Sequence, residues 1–255
     1  MVLLLRTISE LRSHLKAYRQ ANQGTIGLVP TMGALHQGHL RLIKKAIAEN
    51  SLVVVSIFVN PLQFAPTEDL ASYPRQRELD LKLCESMGVD LVFAPSPEEM
   101  NSRGDTSALN NTTTVVPPRT MTQVLCGQYR PDHFTGVATI VTQLFNLIQP
   151  DRAYFGQKDA QQLAIIQRLA QDLNIPVVIV PCPIIREPSG LALSSRNQYL
   201  TELENEQAAK IYHSLHQAKL AFTQGEINAT ALTNLVRQEL AATEEVKIQY
   251  VELVD

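Results

Sequence analysis

Short apolar runs, several of them rich in β-branched residues, alternate with longer amphipathic segments along most of this chain. The runs predict buried strands, and the amphipathic segments have the apolar spacing of helices. Strands are predicted at Thr25–Val29, Ser51–Val59, Asp90–Ala94, Asp151–Phe155 and Pro176–Val180. Helices are predicted at Thr7–Ala21, Leu40–Glu49, Arg75–Met87, Thr135–Ile148 and Asp159–Leu173. This alternation predicts an α/β fold, a Rossmann-like, doubly wound parallel sheet with helices on both faces.

The pattern changes after the turn at Pro188–Gly190. Two helices and one alternating, half-exposed strand are predicted there, at Thr201–Phe222, Ala229–Ala241 and Val246–Val254. We therefore expect two domains, a Rossmann-like domain at residues 1–186 and a smaller α+β C-terminal domain at residues 187–255. The polar, Asn- and Thr-rich stretch Asn101–Thr114 is predicted to be irregular or mobile.

Composition and charge exclude several classes of protein. The 255 residues are 45% hydrophobic, which is enough for a substantial core, and the net charge of −3 gives no electrostatic case for a nucleic-acid partner. No apolar run approaches the length of a membrane span, and the N-terminal segment becomes polar too soon for a signal peptide. The widely spaced Cys84, Cys126 and Cys182 resemble reduced thiols of a cytoplasmic protein.

The most informative stretch joins the first predicted strand to the helix that follows it. From Pro30 to His39 the sequence is PTMGALHQGH, with two glycines that allow a tight loop. His36 and His39 therefore lie where a loop enters a helix. Unpaired N–H groups and the positive end of the helix dipole favour a polyphosphate at such a place. The motif predicts nucleotide binding without the dinucleotide-binding glycine pattern.

Two other interpretations of the paired histidines stay open at this point. Histidines three residues apart often only share one face of a helix, as we expect for His213 and His216. The pair could also be two ligands of a metal site. The metal is disfavoured because no cysteine or third histidine lies nearby in the sequence, whereas the intervening glycine suits close approach of a ligand.

Two later segments also carry phosphate-binding chemistry. FGQKD leaves a predicted strand and opens a helix, and there Lys158 offers a point charge and Gly156 a close approach of the backbone. In LSSRN, the hydroxyls of Ser194 and Ser195 can donate to phosphate oxygens that Arg196 holds in a fork. Each segment alone is common on protein surfaces, but three such loops in one α/β chain together indicate a polyphosphate site.

Longer stretches then make a resemblance specific. They are VPTMGALHQGHLRLI at Val29–Ile43, SIFVNPLQF at Ser56–Phe64, YPR at Tyr73–Arg75, RPDHFTGV at Arg130–Val137, YFGQKDAQQL at Tyr154–Leu163 and REPSGLALSSRN at Arg186–Asn197. On these stretches the chain resembles the pantoate–β-alanine ligases, or pantothenate synthetases, of the H-x-G-H nucleotidyltransferase superfamily. Together they are much more specific than H-x-G-H alone.

The resemblance implies a ligation in two steps. The carboxylate of pantoate attacks the α-phosphorus of ATP to give an enzyme-bound pantoyl adenylate and pyrophosphate, and the amine of β-alanine then displaces AMP to leave pantothenate. Positioning and charge stabilisation should dominate, because the first step needs little acid–base work. The resemblance also implies Mg²⁺ carried by the ATP phosphates, with no side-chain metal ligands that can be named, and a homodimer formed through the N-terminal domain.

The resemblance implies an ATP site built from several segments. The residues expected to hold the triphosphate are His36, His39, Lys158, Ser194, Ser195 and Arg196. His36, His39 and Lys158 are the expected catalytic residues, the last two nearest the reacting phosphate. Met32, Gly156, Asp159 and Leu193 complete the expected ATP site.

Pantoate is expected beside the ATP site. By the resemblance, Gln63 and Gln162 bind its hydroxyl and carboxylate as neutral donors, which orient the carboxylate without neutralising it. Met32 and Asn60 are expected next to them. Without the family pattern, both glutamines would be interpreted as ordinary surface amides.

Other residues of the shared stretches have weaker assignments. We expect Arg130 and His133 to support the site structurally or indirectly, and Asp159 to act also as a helix N-cap. Tyr73 and Arg75 match a loop near the pantoate pocket without an assigned role.

The chain also departs from the family pattern. Gln157, Ala160 and Leu193 stand where the family usually has glutamate, an aromatic residue and methionine. Since relatives continue beyond Asp255, we expect an abbreviated C-terminal domain, which puts its closure as a lid over the phosphates in doubt.

Two other functions remain open at this stage. One is a nucleotidyltransferase that moves AMP or CMP onto another acceptor without ligation. The other is a non-catalytic relative that binds ATP or pantoate, which ATP would stabilise thermally without turnover.

Overall fold

The structure, a computed structural model, describes residues 2–21, 23–100, 112–243 and 246–254. The chain divides into two compact units, Met1–Pro183 and Ile184–Asp255. Most of the stretch predicted to be irregular, residues 101–111, lies outside the described residues, so that prediction is not tested.

The first unit contains a six-stranded sheet whose paired strands are all parallel. The strands are β1 (Leu3–Leu5), β2 (Ile26–Thr31), β3 (Leu52–Ile57), β4 (Leu91–Phe93), β5 (Arg152–Gly156) and β6 (Val178–Cys182). Their order across the sheet is β1-β4-β3-β2-β5-β6. The chain therefore winds outward from β2 in one direction through β3 and β4, and in the other through β5 and β6.

Helices connect the strands. In the first unit they are α1 (Ile8–Ala21), α2 (Gln37–Glu49), α3 (Arg77–Met87), α4 (Arg119–Thr122), α5 (Cys126–Tyr129), α6 (His133–Ile148) and α7 (Ala160–Asp172). Short 3₁₀ turns at Pro61–Gln63 and Gln157–Asp159 follow β3 and β5. The second unit contains a 3₁₀ turn at Ser195–Tyr199, α8 (Glu202–Thr223) and α9 (Ala229–Ala241).

Both faces of the sheet are covered by apolar side chains. Leu28 of β2 and Val54 of β3 pack in a cluster with residues of α1, α6 and α7, whereas the next residue along β2, Val29, packs in a second cluster with residues of α2 and α3. Because side chains alternate between the faces of a strand, this division shows a sheet buried on both sides. The predicted doubly wound fold is confirmed.

Two strand predictions fail. Leu3–Leu5 forms the edge strand β1, paired with β4, although the sequence analysis predicted no strand there. Conversely, residues 246–254 form no strand. An alternating segment becomes a strand only where another strand offers hydrogen bonds. In the described part of the second unit the β pairing found is an isolated bridge between Arg186 and Ala192, and the carbonyl of Val251 accepts instead from Arg237.

Candidate active site

The sheet order places a topological switch point, and with it an expected crevice, at the carboxyl ends of β2 and β5. These strands are hydrogen-bonded neighbours, but the chain leaves β2 toward β3 and β5 toward β6, on opposite sides. In open parallel sheets ligands bind at such a switch point, beyond the carboxyl ends of the strands. The segment with His36 follows β2 and the segment with Lys158 follows β5, so two of the three predicted phosphate loops border this crevice.

The segment Gly33–His39, here called the histidine junction, ends in a capping box made of two histidines. His36 is the N-cap of α2, and its Nδ1 accepts from the backbone N–H of Gly38 at 3.1 Å. The Nδ1 of His39 accepts from the backbone N–H of His36 at 3.3 Å, and the two ring centroids are 4.1 Å apart. Because each Nδ1 accepts, each neutral ring carries its proton on Nε2. The helix start thus offers two N–H donors of known tautomer.

Burial and a nearby cation favour the neutral form of both rings. Burial lowers the pKa of His39 to about 3, with further lowering by His36 and by the Lys158 ammonium. Burial and Lys158 also lower the pKa of His36, against a smaller opposing effect of Asp159. The positive charge of Lys158 therefore contributes to the lowered pKa of both imidazoles. The arrangement supplies one cation and two neutral donors, which suits a polyanion.

A buried carboxylate holds the loop that leads into these histidines. Asp80 of α3 is 1% exposed and accepts from the backbone N–H groups of Ala34 at 3.0 Å and Leu35 at 2.7 Å. Gly33 and Ala34 both have positive φ, and a Cβ on Gly33 would stand 2.9 Å from the Asp80 carboxylate. Burial raises the pKa of Asp80, while the two N–H donors oppose that rise. The sequence analysis missed this residue.

The segment after β5 is more exposed. Lys158 lies in the 3₁₀ turn Gln157–Asp159, and its Nζ is 3.3 Å from Asp159 Oδ1. Asp159 is the N-cap residue of α7, as predicted, but makes no side-chain capping hydrogen bond. Apart from its two chain neighbours, no described residue has an atom within 4 Å of the place where a Cβ on Gly156 would stand. The described part of the protein therefore leaves room for a side chain at that position.

The segment Asn60–Gln63, here called the glutamine turn, follows β3. Asn60 is 1% exposed; its Oδ1 accepts from the N–H of Leu62, and its Nδ2 donates to Gly136 O and to Gln63 Oε1, both at 3.1 Å. Gln63 Nε2 lies 2.9 Å from Met32 Sδ. The structure thus brings Met32, Asn60 and Gln63 together, with Asn60 orienting the amide of Gln63.

The remaining predicted residues lie in α7 and in the second unit. Gln162 is in the first turn of α7, and its side chain makes no hydrogen bond with a described residue. Leu193, Ser194, Ser195 and Arg196 belong to the second unit. There the Ser194 side chain caps a 3₁₀ turn by accepting from the backbone N–H of Arg196 at 3.3 Å.

The described part of the chain contains no cluster of three or more histidine, cysteine, aspartate or glutamate side chains that could hold a metal ion. None of the helices described is both long and apolar enough for a membrane crossing.

Comparison with curated proteins finds close relatives. The chain is 54% identical over 269 residues to the bifunctional pantoate ligase/cytidylate kinase of Trichormus variabilis, a match that covers 99% of this chain and 50% of that protein. It is 58% identical over 233 residues to the protein of the same description from a Nostoc species, covering 91% of this chain and 44% of that one. The chain therefore spans about half the length of the curated relatives it matches.

Solved structures agree with this similarity. The pantothenate synthetase of Thermus thermophilus is 42% identical with a TM-score of 0.89, and the match covers 98% of this chain and 86% of that one. The pantoate-beta-alanine ligase of Francisella tularensis, solved with beta-gamma ATP and beta-alanine, is 38% identical with a TM-score of 0.79 and coverages of 94% and 86%.

The family assignment follows from sequence and structure together. The sequence model of the family described as pantoate-beta-alanine ligase matches residues 3–255. That match contains the histidine junction, the glutamine turn and the Lys158 segment. This chain belongs to the pantoate-beta-alanine ligase family.

Proposed function

We propose that this chain ligates pantoate and β-alanine to pantothenate at the expense of ATP. The observation that carries the proposal is the pair of neutral imidazoles at the start of α2, whose pKa values are lowered by burial and, to a lesser degree, by the Lys158 ammonium. Family membership supplies the substrates that such a polyphosphate site would serve.

The proposed reaction balances without an internal acid or base in its first step. A carboxylate oxygen of pantoate forms a bond to the α-phosphorus of ATP, while the bond from that phosphorus to pyrophosphate breaks. In the second step the amine nitrogen of β-alanine bonds to the carbonyl carbon of the pantoyl adenylate. The bond to AMP breaks, and the nitrogen releases a proton to solvent.

The histidine junction and Lys158 would stabilise the charge that develops on the phosphates. Preorganised donors in a partly buried site act strongly on such charge and need no reorganisation during the reaction. The Nδ1 hydrogen bonds hold the rings of His36 and His39 in one orientation, so their Nε2–H groups are available at little entropic cost. Lys158 adds a full positive charge. Backbone near Gly156 and the side chain of Asp159 would lie by the ribose.

The glutamine turn would bind pantoate. Asn60 engages the Gln63 amide oxygen and Met32 its nitrogen, which leaves the second amide proton of Gln63 available to a substrate oxygen. The role of Asn60 is thus to orient Gln63. Gln162, in the first turn of α7, is proposed as the second neutral donor.

Several features of the proposal rest on the resemblance. Mg²⁺ would enter with ATP and stay bound mainly by phosphate oxygens, as is usual for this ion. Phosphate binding by Ser194, Ser195 and Arg196, contact of Leu193 with ATP, and a lid role for residues 187–255 stay predictions. The same holds for a cytoplasmic location and a homodimer.

The test follows the two half-reactions separately. Pyrophosphate release from Mg-ATP is measured with and without pantoate, and AMP and pantothenate are then measured after β-alanine is added. We expect pyrophosphate to require pantoate and AMP to require β-alanine. No pantoate-dependent pyrophosphate from a folded sample would refute the ligase function. Pantoate-dependent pyrophosphate without pantothenate would refute the ligation step and favour nucleotidyl transfer alone.

A further inference from the structure

The start of α6 packs directly on the glutamine turn. A Cβ on Gly136 would stand 2.1 Å from the carbonyl oxygen of Leu62 and 2.6 Å from the backbone nitrogen of Gln63. No side chain fits at that distance, so the two segments meet backbone to backbone. The RPDHFTGV stretch is thereby placed against the residue that we propose binds pantoate.

His133 connects this stretch to the main chain of Gln63. Its Nδ1 lies 2.8 Å from the carbonyl oxygen of Gln63, and its Nε2 lies 3.2 Å from Arg130 Nη1. A guanidinium only donates, so Nε2 accepts and the proton of the neutral ring sits on Nδ1. His133 therefore donates to Gln63 O, and Arg130 sets the tautomer that allows it. His133 is 8% exposed, so this bond is largely shielded from water.

Glu68 in turn holds Arg130. Its two carboxylate oxygens accept from Arg130 Nε at 2.8 Å and Nη2 at 2.7 Å, the bidentate geometry that orients a guanidinium. Burial raises the pKa of Glu68, but the hydrogen bonds and charges around it, those of Arg130 foremost, outweigh burial, so the net pKa lies below its usual value. The carboxylate is therefore ionised at neutral pH and the pair stays formed.

The glutamine turn depends on this support because its own backbone hydrogen bonds are long. The 3₁₀ turn spans three residues, and its backbone bonds are 3.4 Å from Gln63 N to Asn60 O and 3.2 Å from Phe64 N to Pro61 O. A 3₁₀ turn of this length has poor hydrogen-bond geometry by itself. The bond from His133 holds the carbonyl of the same residue whose side chain faces Met32.

We propose that His133 and Arg130 are positioning residues for pantoate, which act by holding the main chain of Gln63 so that its amide meets the substrate. The proposal rests on the proposed function, since it takes Gln63 to bind pantoate. It gives the RPDHFTGV stretch a role in substrate affinity, where the sequence analysis expected only structural or indirect support.

Two isosteric substitutions separate the two bonds of His133. In His133→Asn the amide nitrogen takes the place of Nδ1 and keeps the donor to Gln63 O. In His133→Gln the side-chain amide reaches the place of Nε2. Its oxygen still accepts from Arg130, but no group at this position donates to Gln63 O. His133→Ala loses both. Thr142→Ala, which removes a partly buried hydroxyl of α6 that bonds within the helix to Ala138 O, is the matched control.

The KM values for pantoate and for ATP are measured for each variant by pyrophosphate release, alongside thermal unfolding. We expect His133→Ala and His133→Gln to raise the KM for pantoate about tenfold, the effect of losing one partly buried hydrogen bond. The KM for ATP should change less than about twofold. His133→Asn should restore most of the pantoate affinity, and Thr142→Ala should resemble the wild type.

Outcomes that overturn the proposal are distinct from failure of the proposed function. An unchanged KM for pantoate in His133→Ala, with an active wild type, would overturn the positioning role alone. Equal losses in His133→Asn and His133→Gln, or equal rises in both KM values, would show a general structural role instead. A wild type without pantoate-dependent pyrophosphate release would refute the proposed function, and the pantoate part of this proposal with it.

Discussion

The histidine junction and the glutamine turn follow neighbouring strands of one sheet, yet different means hold them in place. The junction is ordered by hydrogen bonds between residues two or three apart, which form its capping box, and by one buried carboxylate, that of Asp80. The backbone hydrogen bonds of the turn are long, and besides the Asn60 side chain it is held by His133 and Arg130, residues far along the chain. A helix start supplies N–H donors for a phosphate largely from residues close together in the chain. A neutral side-chain donor such as Gln63 is oriented instead by contacts with distant residues.

Removing charge stabilisation at the junction should have the largest effect. We expect His39→Ala or Lys158→Ala to lower the rate of pyrophosphate release about 10²–10³-fold, the usual cost of one removed donor at developing charge. The fold should persist, as circular dichroism would show. His213→Ala on the exposed face of α8 is the matched control. Unchanged turnover in both variants would contradict the assignment of the site.

Breaking the support of the junction should cost less. Asp80→Asn keeps the shape but turns an N–H₂ toward a backbone N–H of Ala34 or Leu35. We expect the free energy of unfolding to fall by about 2 kcal/mol and kcat/KM for ATP to fall roughly tenfold. Glu78→Gln removes the same charge from an exposed position of α3 and should change neither quantity. Loss of stability with unchanged kinetics would show that the loop position does not matter for ATP.

A smaller effect is expected at Gly156, where the protein leaves room for a methyl group and φ is an ordinary −76°. Gly156→Ala should therefore leave thermal unfolding unchanged. If ATP approaches the backbone there, the KM for ATP should rise roughly three- to tenfold, or about 1 kcal/mol, with the KM for pantoate unaffected. Wild-type ATP affinity in this variant would place the nucleotide away from Gly156.

A separate test of the junction concerns the pH dependence of stability. The pKa of His39 is about 3 in the folded protein, below its usual value, so between that pH and about 6.5 the unfolded chain binds more protons than the folded one. The free energy of unfolding should fall as pH decreases through this window. Urea unfolding should show a shallower fall for His39→Gln than for the wild type. Equal slopes would contradict the low pKa.

Local patterns predicted the junction well. The strand before it and the helix after it were expected within a few residues, because apolar periodicity and helix capping involve residues close together in the chain. Hydrophobic periodicity was less reliable for strands, because a strand forms only where a neighbouring strand can pair with it. Leu3–Leu5 became a strand only because β4 offers an edge, and Val246–Val254 found no such partner among the described residues.

Residue spacing also explains which supporting groups were missed. Asp80 lies 45 residues from Leu35, and His133 lies 70 residues from Gln63. Nothing in the local pattern of α3 marks Asp80 as buried, since its neighbours in sequence include charged, exposed residues such as Glu78. The resemblance indicated that RPDHFTGV matters, but not what His133 contacts.

The sequence by itself determined the alternation of strands and helices, the two histidines at a helix start and, through its motifs, the family. Each of these depends on residues within a few turns of one another or on direct matches. Only the tertiary structure decided that β2 and β5 are neighbours, that Asp80 holds the histidine junction and that His133 holds the glutamine turn. These contacts join residues that are distant along the chain, and a local sequence pattern does not specify the partners of such hydrogen bonds. They form only when folding of the sheet brings the distant segments together.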